Sequence, residues 1–330
     1  MREAYYINPA EPDRLVTQAD VERIVSEQSR REQLYSLAVF NIPNLAELME
    51  KGGDQPILEL YNKLLDTIGA GLSGMGGAVP VPTSADWKEN EMVSATGGIV
   101  RACQLNGGFV LYVNYLAAKK GFSTGQTKFE PNPLLLGERN TDFCPIFYER
   151  HSVYLAFLQM CMEFFCQAMA AGVPLRGCIS TGMAVMDQER SLFFGSPLVE
   201  ATVGAATRQS MGVSFGRSFY NYHPVYHDYF IPWPVHLDGN SGGGAYLSPM
   251  VLDWARYWRG SLGYGEITFT EGLAKMRENP LCAEQYDVAT RFFEFSEQHE
   301  DWHRDLEWTG QGDILDYCEQ AKKWYYSVKK

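Results

Sequence analysis

The sequence has little positive charge for its length. Its 330 residues include 28 lysines and arginines against 40 aspartates and glutamates, which gives a formal net charge of −12. A chain with this balance has no basic field to attract a polyphosphate backbone. We therefore expect no nucleic acid among its partners, whereas a single nucleotide that brings its own metal ions is compatible with this charge.

The sequence also lacks an uninterrupted apolar run of membrane-spanning length. The longest apolar stretch, 153–173, contains Gln159, Glu163 and Gln167 at every fourth residue, which gives a helix one polar face. The segment 1–14 is polar and contains two prolines, unlike an export signal. We expect a buried helix at 153–171, no membrane partner and a cytoplasmic location.

Paired cysteine motifs are absent as well. The seven cysteines are an odd number, and no two of them form a C-x-x-C pair. This pattern argues against both a disulfide framework and a zinc ribbon. We expect reduced thiols in the core.

What the chain does have is enough apolar material for a large core, with 45% hydrophobic and 13% aromatic residues. Short apolar runs, two of them in a predicted hairpin, alternate with segments of helical spacing, and this pattern predicts an α+β fold. We divide the chain into an N-terminal helical arm (1–34), a main domain (35–255) and a C-terminal helical extension (256–330).

Four short motifs stand at strand ends and turns of this pattern. FNIPNL (40–45) closes an apolar run, and YVNY (112–115) closes the return strand of a predicted hairpin. LRGCISTG (175–182) is a strand, and FGSPLVEA (194–201) leads from a strand through Gly195 into a helix.

In this order the motifs resemble the class III nucleotidyl cyclase homology domain, and within it the bacterial pyrimidine cyclases of antiphage defence. The resemblance covers about residues 35–255. It implies conversion of UTP or CTP to cyclic UMP or cyclic CMP with release of pyrophosphate, aided by two Mg²⁺ or Mn²⁺ ions. It also implies a mainly antiparallel sheet flanked by helices, with a class III (ferredoxin-like) core. The expected assembly is a head-to-tail homodimer with its sites at the subunit interface.

The resemblance assigns roles to individual positions. Asn41 and Asn114 occupy the places of the two metal-binding aspartates. The implied substrate contacts are Ile42, Pro43, Asn44 and Arg176. Arg208, on the helix after Gly195, resembles the arginine that stabilises the transition state.

The two asparagines change the expected chemistry, because hard cations require anionic oxygens. Losing two nearby negative charges forfeits on the order of several kcal/mol of metal attraction at an effective dielectric constant near 20. We expect weak or absent turnover. Two explanations stay open: a naturally divergent pseudo-cyclase, or Asp-to-Asn substitutions meant to trap substrate. An asparagine is also an ordinary turn former at a strand end.

Two other functions compete with this interpretation. The first is a non-catalytic nucleotide sensor or dimerisation module on the same scaffold. The second is a zinc hydrolase, for which an aromatic, proline-rich loop supplies His223, His227, Asp228, His236 and Asp238. The alternative for that loop is plain aromatic packing, since Pro224 disfavours the helix that His-x-x-x-His chelation needs.

Overall fold

A computed structural model gives the fold of the chain. It describes residues 4–7, 15–16, 32–43, parts of 45–64, 100–105, 108–114, 123–124, 144–187, 190–208, 210–223, 225, 228–234, 247–260, 269–278, 283–306 and 314–329. The strands are β1 (Ala4–Ile7), β2 (Leu15–Val16), β3 (Gln33–Asn41), β4 (Val100–Leu105), β5 (Gly108–Asn114), β6 (Ser123–Thr124), β7 (Arg176–Asp187), β8 (Leu192–Gly195), β9 (Gly212–Gly216), β10 (Phe230–Pro232) and β11 (Leu247–Leu252). The α-helices are α1 (Cys144–Ala170), α2 (Ser196–Thr207), α3 (Trp254–Gly260), α4 (Phe269–Glu278), α5 (Ala283–Gln298) and α6 (Ile314–Val328).

The main sheet has eight strands, with the apolar strand β3 near its centre. Seven follow the order β10-β11-β9-β7-β3-β5-β4, and β8 pairs with β7. The pairing is antiparallel throughout except between β7 and β9. Helical residues at 57–62 precede the β4–β5 hairpin, and α1 lies between β5 and β7 in the chain, after β6 of the small sheet. This is the β-α-β-β-α-β order of a ferredoxin-like core, which confirms the expected α+β class.

Both faces of β3 are buried, because helices cover the sheet on each side. Ala38 and Phe40 join the larger core cluster beneath α1, where the Phe40 and Phe164 rings lie 4.7 Å apart. Leu37 and Val39 belong to a second cluster, under α2. This explains why β3 reads as a nearly continuous apolar run.

The entry into α2 depends on Gly195. Its φ of 148° lies in a region that L side chains avoid. A Cβ at this position would also come within 2.6 Å of the Ala184 backbone. Pro197 then occupies the first turn of the helix, where its missing N–H costs nothing. The turn therefore brings α2 back across the sheet face.

The C-terminal helices share the main core and do not form a separate layer of their own. The Trp302 indole N–H donates to the Phe230 carbonyl of β10 over 2.9 Å, and the Trp233 and Tyr325 rings are 5.5 Å apart. α3 begins at Trp254, so it crosses the expected boundary at 255. The predicted extension is helical, and its aromatic side chains complete the core that α1 begins.

Some expectations for the rest of the chain need correction. Within 1–34 the described residues 4–7 and 15–16 are strands of a small sheet with β6, and Gln33 already belongs to β3. The helix expected in this N-terminal arm otherwise lies outside the described residues. α1 begins at Cys144, nine residues before the start that we expected at 153. The five cysteines whose side chains are described, at 103, 161, 166, 178 and 318, are free thiols. No helix in the described segments has the length and apolarity to span a bilayer.

Replacing Trp302 by alanine tests whether the C-terminal helices belong to the main core. Trp302 is 2% exposed, so the variant should lose about 3–5 kcal/mol of unfolding free energy. We expect one cooperative transition in chemical denaturation, shifted as a whole. Tyr326→Ala, which removes a 37% exposed ring from α6, is the control and should shift the midpoint little. Two separate transitions, with only one moved by Trp302→Ala, would contradict a shared core.

Candidate anion site

One end of the sheet carries a row of polar side chains on the face that α2 covers. Asn41 and Arg176 are directly opposed in the antiparallel pair of β3 and β7, so they lie side by side on one face. Side-chain alternation places them with Leu37, Val39 and Cys178, all members of the cluster under α2. The structure thus brings together two of the residues that the sequence selected.

Two glycines flank this pair and leave room for larger neighbours. The Cβ position of Gly108, at the start of β5, is occupied by the side-chain oxygen of Asn41. Gly212 opposes Arg176 in the parallel pair of β7 and β9 and has a φ of 122°. The guanidinium of Arg208 fills the space where its Cβ would be. Asn41, Arg176 and Arg208 therefore form one row across the sheet end, which we call the arginine row.

Arg208 is buried and has no counter-ion among the residues that the structure describes. The residue is 1% exposed, and its Nε and Nη2 donate to the carbonyls of Ser210 and Met211 over 2.8 and 3.0 Å. Its Nη1 has no hydrogen-bond partner among the described residues. Burial lowers the pKa of the guanidinium to about 9. Because a buried cation with an unpaired donor is costly, binding an anion beside it would be favourable.

Arg176 has the same character but is only half-buried. Its Nη1 donates to the Arg208 carbonyl over 2.9 Å, while its Nε has no partner in the described part of the chain. Desolvation by burial lowers the pKa of this guanidinium too. Within the described residues, neither arginine forms an ion pair with a carboxylate. The unpaired Nε is itself buried, but Arg176 as a residue is only half-buried and is therefore the more accessible of the two cations in the row.

The expected partnership of Asn41 with Asn114 is wrong. β3 and β5 run antiparallel, so residues that end the two strands lie at opposite ends of the pair. Asn114 opposes Tyr35, six residues before Asn41. At about 3.4 Å per residue, the two positions are about 20 Å apart along the strands. No single metal pair can contact both.

The other residues at the β3 end that the resemblance assigned to substrate binding add no described side chain to the row. Ile42 is 3% exposed and belongs to the core cluster, so its side chain packs there. Pro43 is also buried, and Asn44 lies outside the described residues. The β3 end thus contributes Asn41 alone to the row.

The histidine-rich loop supports aromatic packing rather than zinc chelation where it is described. His223 is 5% exposed, stacks on Tyr154 at 4.4 Å and lies 3.0 Å from the Ser36 hydroxyl through Nε2. His227, His236 and Asp238 are outside the described residues. Across the described segments, no cluster of three metal-ligating side chains occurs.

The sequence interpretation missed the two glycines, Gly108 and Gly212. The signal for Gly108 was its place at the start of the return strand, directly after the turn of the β4–β5 hairpin. Gly212 had no local signal, because its role depends on the Arg208 side chain turning back onto it. The donor set of the row, two guanidiniums and an amide, does not fit a pair of divalent cations and does fit an anion.

A scan of the sequence against protein-family models finds no match. A search of curated proteins also finds none. The geometry of the arginine row is therefore the basis for a functional assignment.

Aspartate substitutions test the register. If residues 41 and 114 are about 20 Å apart, the double variant Asn41→Asp/Asn114→Asp should bind Mn²⁺ no more tightly than the better single variant. Titration calorimetry with Mn²⁺ on the unaltered chain, both single variants and the double variant measures this. A double variant that binds far more tightly than either single one would show that the two positions share an ion.

Proposed function

We propose that this chain is a cyclase-type nucleotide-binding protein that holds the phosphates of a nucleoside triphosphate at the arginine row and cyclises the nucleotide weakly or not at all. The observation that carries the proposal is the row itself. Asn41, Arg176 and Arg208 are adjacent, two of them are cationic, and each guanidinium has a nitrogen without a partner among the described residues.

The chemistry of the row suits phosphate. Guanidinium groups give charge-assisted, directional hydrogen bonds to phosphate oxygens, and partial burial strengthens such bonds relative to water. The accessible donor would be Arg176, with Arg208 behind it as a fixed buried charge. The Asn41 amide can donate a further hydrogen bond to an oxygen.

Weak or absent cyclisation follows from the same row. Attack of a ribose hydroxyl on the α-phosphate needs a group that favours loss of the hydroxyl proton, and carboxylate-bound cations supply this in metal-assisted phosphoryl chemistry. Residue 41 is a neutral amide, and residue 108, whose Cβ position the amide oxygen fills, is glycine. The row can therefore position phosphates without providing that assistance.

The resemblance in the sequence favours UTP and CTP as the nucleotides and the cytoplasm as the location. It makes antiphage signalling the expected setting. The second candidate, a sensor or dimerisation module, differs from a slow cyclase only in whether any product forms. One experiment separates the two.

Binding and product formation are measured on the same samples. The unaltered chain should bind UTP or CTP and be stabilised by it, with cyclic product absent or at trace level by chromatography after incubation with Mn²⁺. Arg176→Gln should raise the Kd about tenfold or more, because a hydrogen bond to a charged group is lost.

Arg304→Gln is the matched control, since it removes the same charge from a side chain that is 71% exposed. It should leave the Kd unchanged. If the unaltered chain binds none of the four common nucleoside triphosphates, nucleotide binding is refuted. Rapid conversion by the unaltered chain would instead refute the weakened activity.

An exposed apolar patch supports the homodimer that the resemblance implies. Met183, Leu192 and Phe194 are 41%, 45% and 53% exposed on the β7–β8 hairpin. Phe194 opposes Val185 and Leu192 opposes Asp187, so strand alternation puts all three side chains on one face of the hairpin. We propose that a second copy of the chain covers this patch, because clustered exposed apolar groups mark association sites.

A charge placed in the patch should separate the copies. Phe194→Glu is expected to shift the chain from dimer towards monomer in sedimentation equilibrium, because a carboxylate would be buried against apolar surface. Leu58→Glu is the comparison, as Leu58 is 52% exposed in a different part of the chain. A monomeric unaltered chain, or equal effects of both variants, would rule out this interface.

A further inference from the structure

The loop between α2 and β9 connects the arginine row to the C-terminal helices. Arg208 bonds the carbonyls of Ser210 and Met211 from within, so the loop is closed around its own guanidinium. These bonds fix the loop as a compact unit. Its other contacts therefore determine where the unit sits.

One outward contact reaches Arg176. The Arg208 carbonyl accepts a hydrogen bond from Arg176 Nη1 at 2.9 Å, and the backbone N–H of Gly212 donates to Leu175 at 3.0 Å. The rotamer of the more accessible arginine thus depends on the position of one loop carbonyl. A shift of the loop would move the donor that Arg176 presents.

A further outward contact is to helix α5. The backbone N–H of Met211 donates to the side-chain oxygen of Gln285 over 2.7 Å. Met211 is 3% exposed and Gln285 is 6% exposed, so water cannot replace this acceptor without a rearrangement. Gln285 lies in the first turn of α5, a helix that our sequence interpretation gave no role at the site.

We propose that Gln285 is a positioning residue through which the C-terminal helices set the phosphate-binding geometry of Arg176. This inference rests on the proposed function for its ligand, but its structural link can be tested without one. Loss of the Gln285 acceptor leaves a buried N–H unpaired. The loop must then move to satisfy it, and the Arg208 carbonyl moves with it. Movement of the C-terminal helices would act on the row by the same route.

The test compares two variants of the same helix. Gln285→Met keeps the side-chain length and removes the acceptor. Ser296→Ala removes the buried hydrogen bond that Ser296, near the end of the same helix, donates to Asp253 over 2.6 Å. Both should lower the thermal midpoint, so lost stability alone does not distinguish them. Gln285→Glu, which keeps an acceptor oxygen, serves as the conservative replacement.

Inorganic triphosphate is the ligand, and calorimetry is the measurement. Gln285→Met should weaken binding at least about fivefold, Ser296→Ala should leave the Kd unchanged, and Gln285→Glu should restore most of the affinity. Equal weakening by Gln285→Met and Ser296→Ala would overturn the proposal, since both would then act through general destabilisation.

Hydrogen exchange of the free protein gives the ligand-independent readout. Gln285→Met should speed exchange in the α2–β9 loop and also at 176–178, whereas Ser296→Ala should change neither. Unchanged exchange at 176–178 in Gln285→Met would overturn the link to Arg176. If the unaltered chain binds no triphosphate, the proposed function fails, and the exchange result alone decides whether Gln285 positions the row.

Discussion

The antiparallel register of β3 between β5 and β7 is the constraint on which the site depends. It opposes Asn41 to Arg176 and carries Gly108 to the side of Asn41, so one end of the sheet becomes polar. A slip by one residue would turn every β3 side chain to the other face and bury polar groups among apolar ones. Apolar packing on both faces of the strand holds this register, and the core therefore specifies the site.

The energetic character of the arginine row comes from burying two cations that no carboxylate in the described part of the chain neutralises. Removing a guanidinium from water is costly unless its charge or its donors are satisfied. Two backbone carbonyls accept hydrogen bonds from Arg208 and offset part of its desolvation cost. The lowered pKa of the guanidinium reflects the part that they do not offset. This desolvation cost beside a half-exposed cation is the observation on which the proposed phosphate binding rests. The apolar packing of the surrounding core stabilises the fold and so offsets this desolvation cost.

The C-terminal helices contribute to the same core and also reach the loop beside the arginine row. Their aromatic side chains complete the core under β10 and β11, and Gln285 reaches the α2–β9 loop from α5. The extension that sequence composition set apart is therefore continuous with the sheet. An amide acceptor inside a helix has no sequence signature, because its partner, the N–H of Met211, lies 74 positions earlier in the chain.

Local sequence determined the elements. The apolar run ending at Asn41, the hairpin return from Gly108, the long helix ending near Ala171 and the strand–Gly195–helix turn all follow from periodicity and turn chemistry. Sequence also selected Asn41, Arg176 and Arg208. The tertiary structure alone decided which of the selected residues meet. Asn114 ends a strand just as Asn41 does, but antiparallel pairing sends the two ends apart, since strand direction and register depend on contacts between segments distant in the chain.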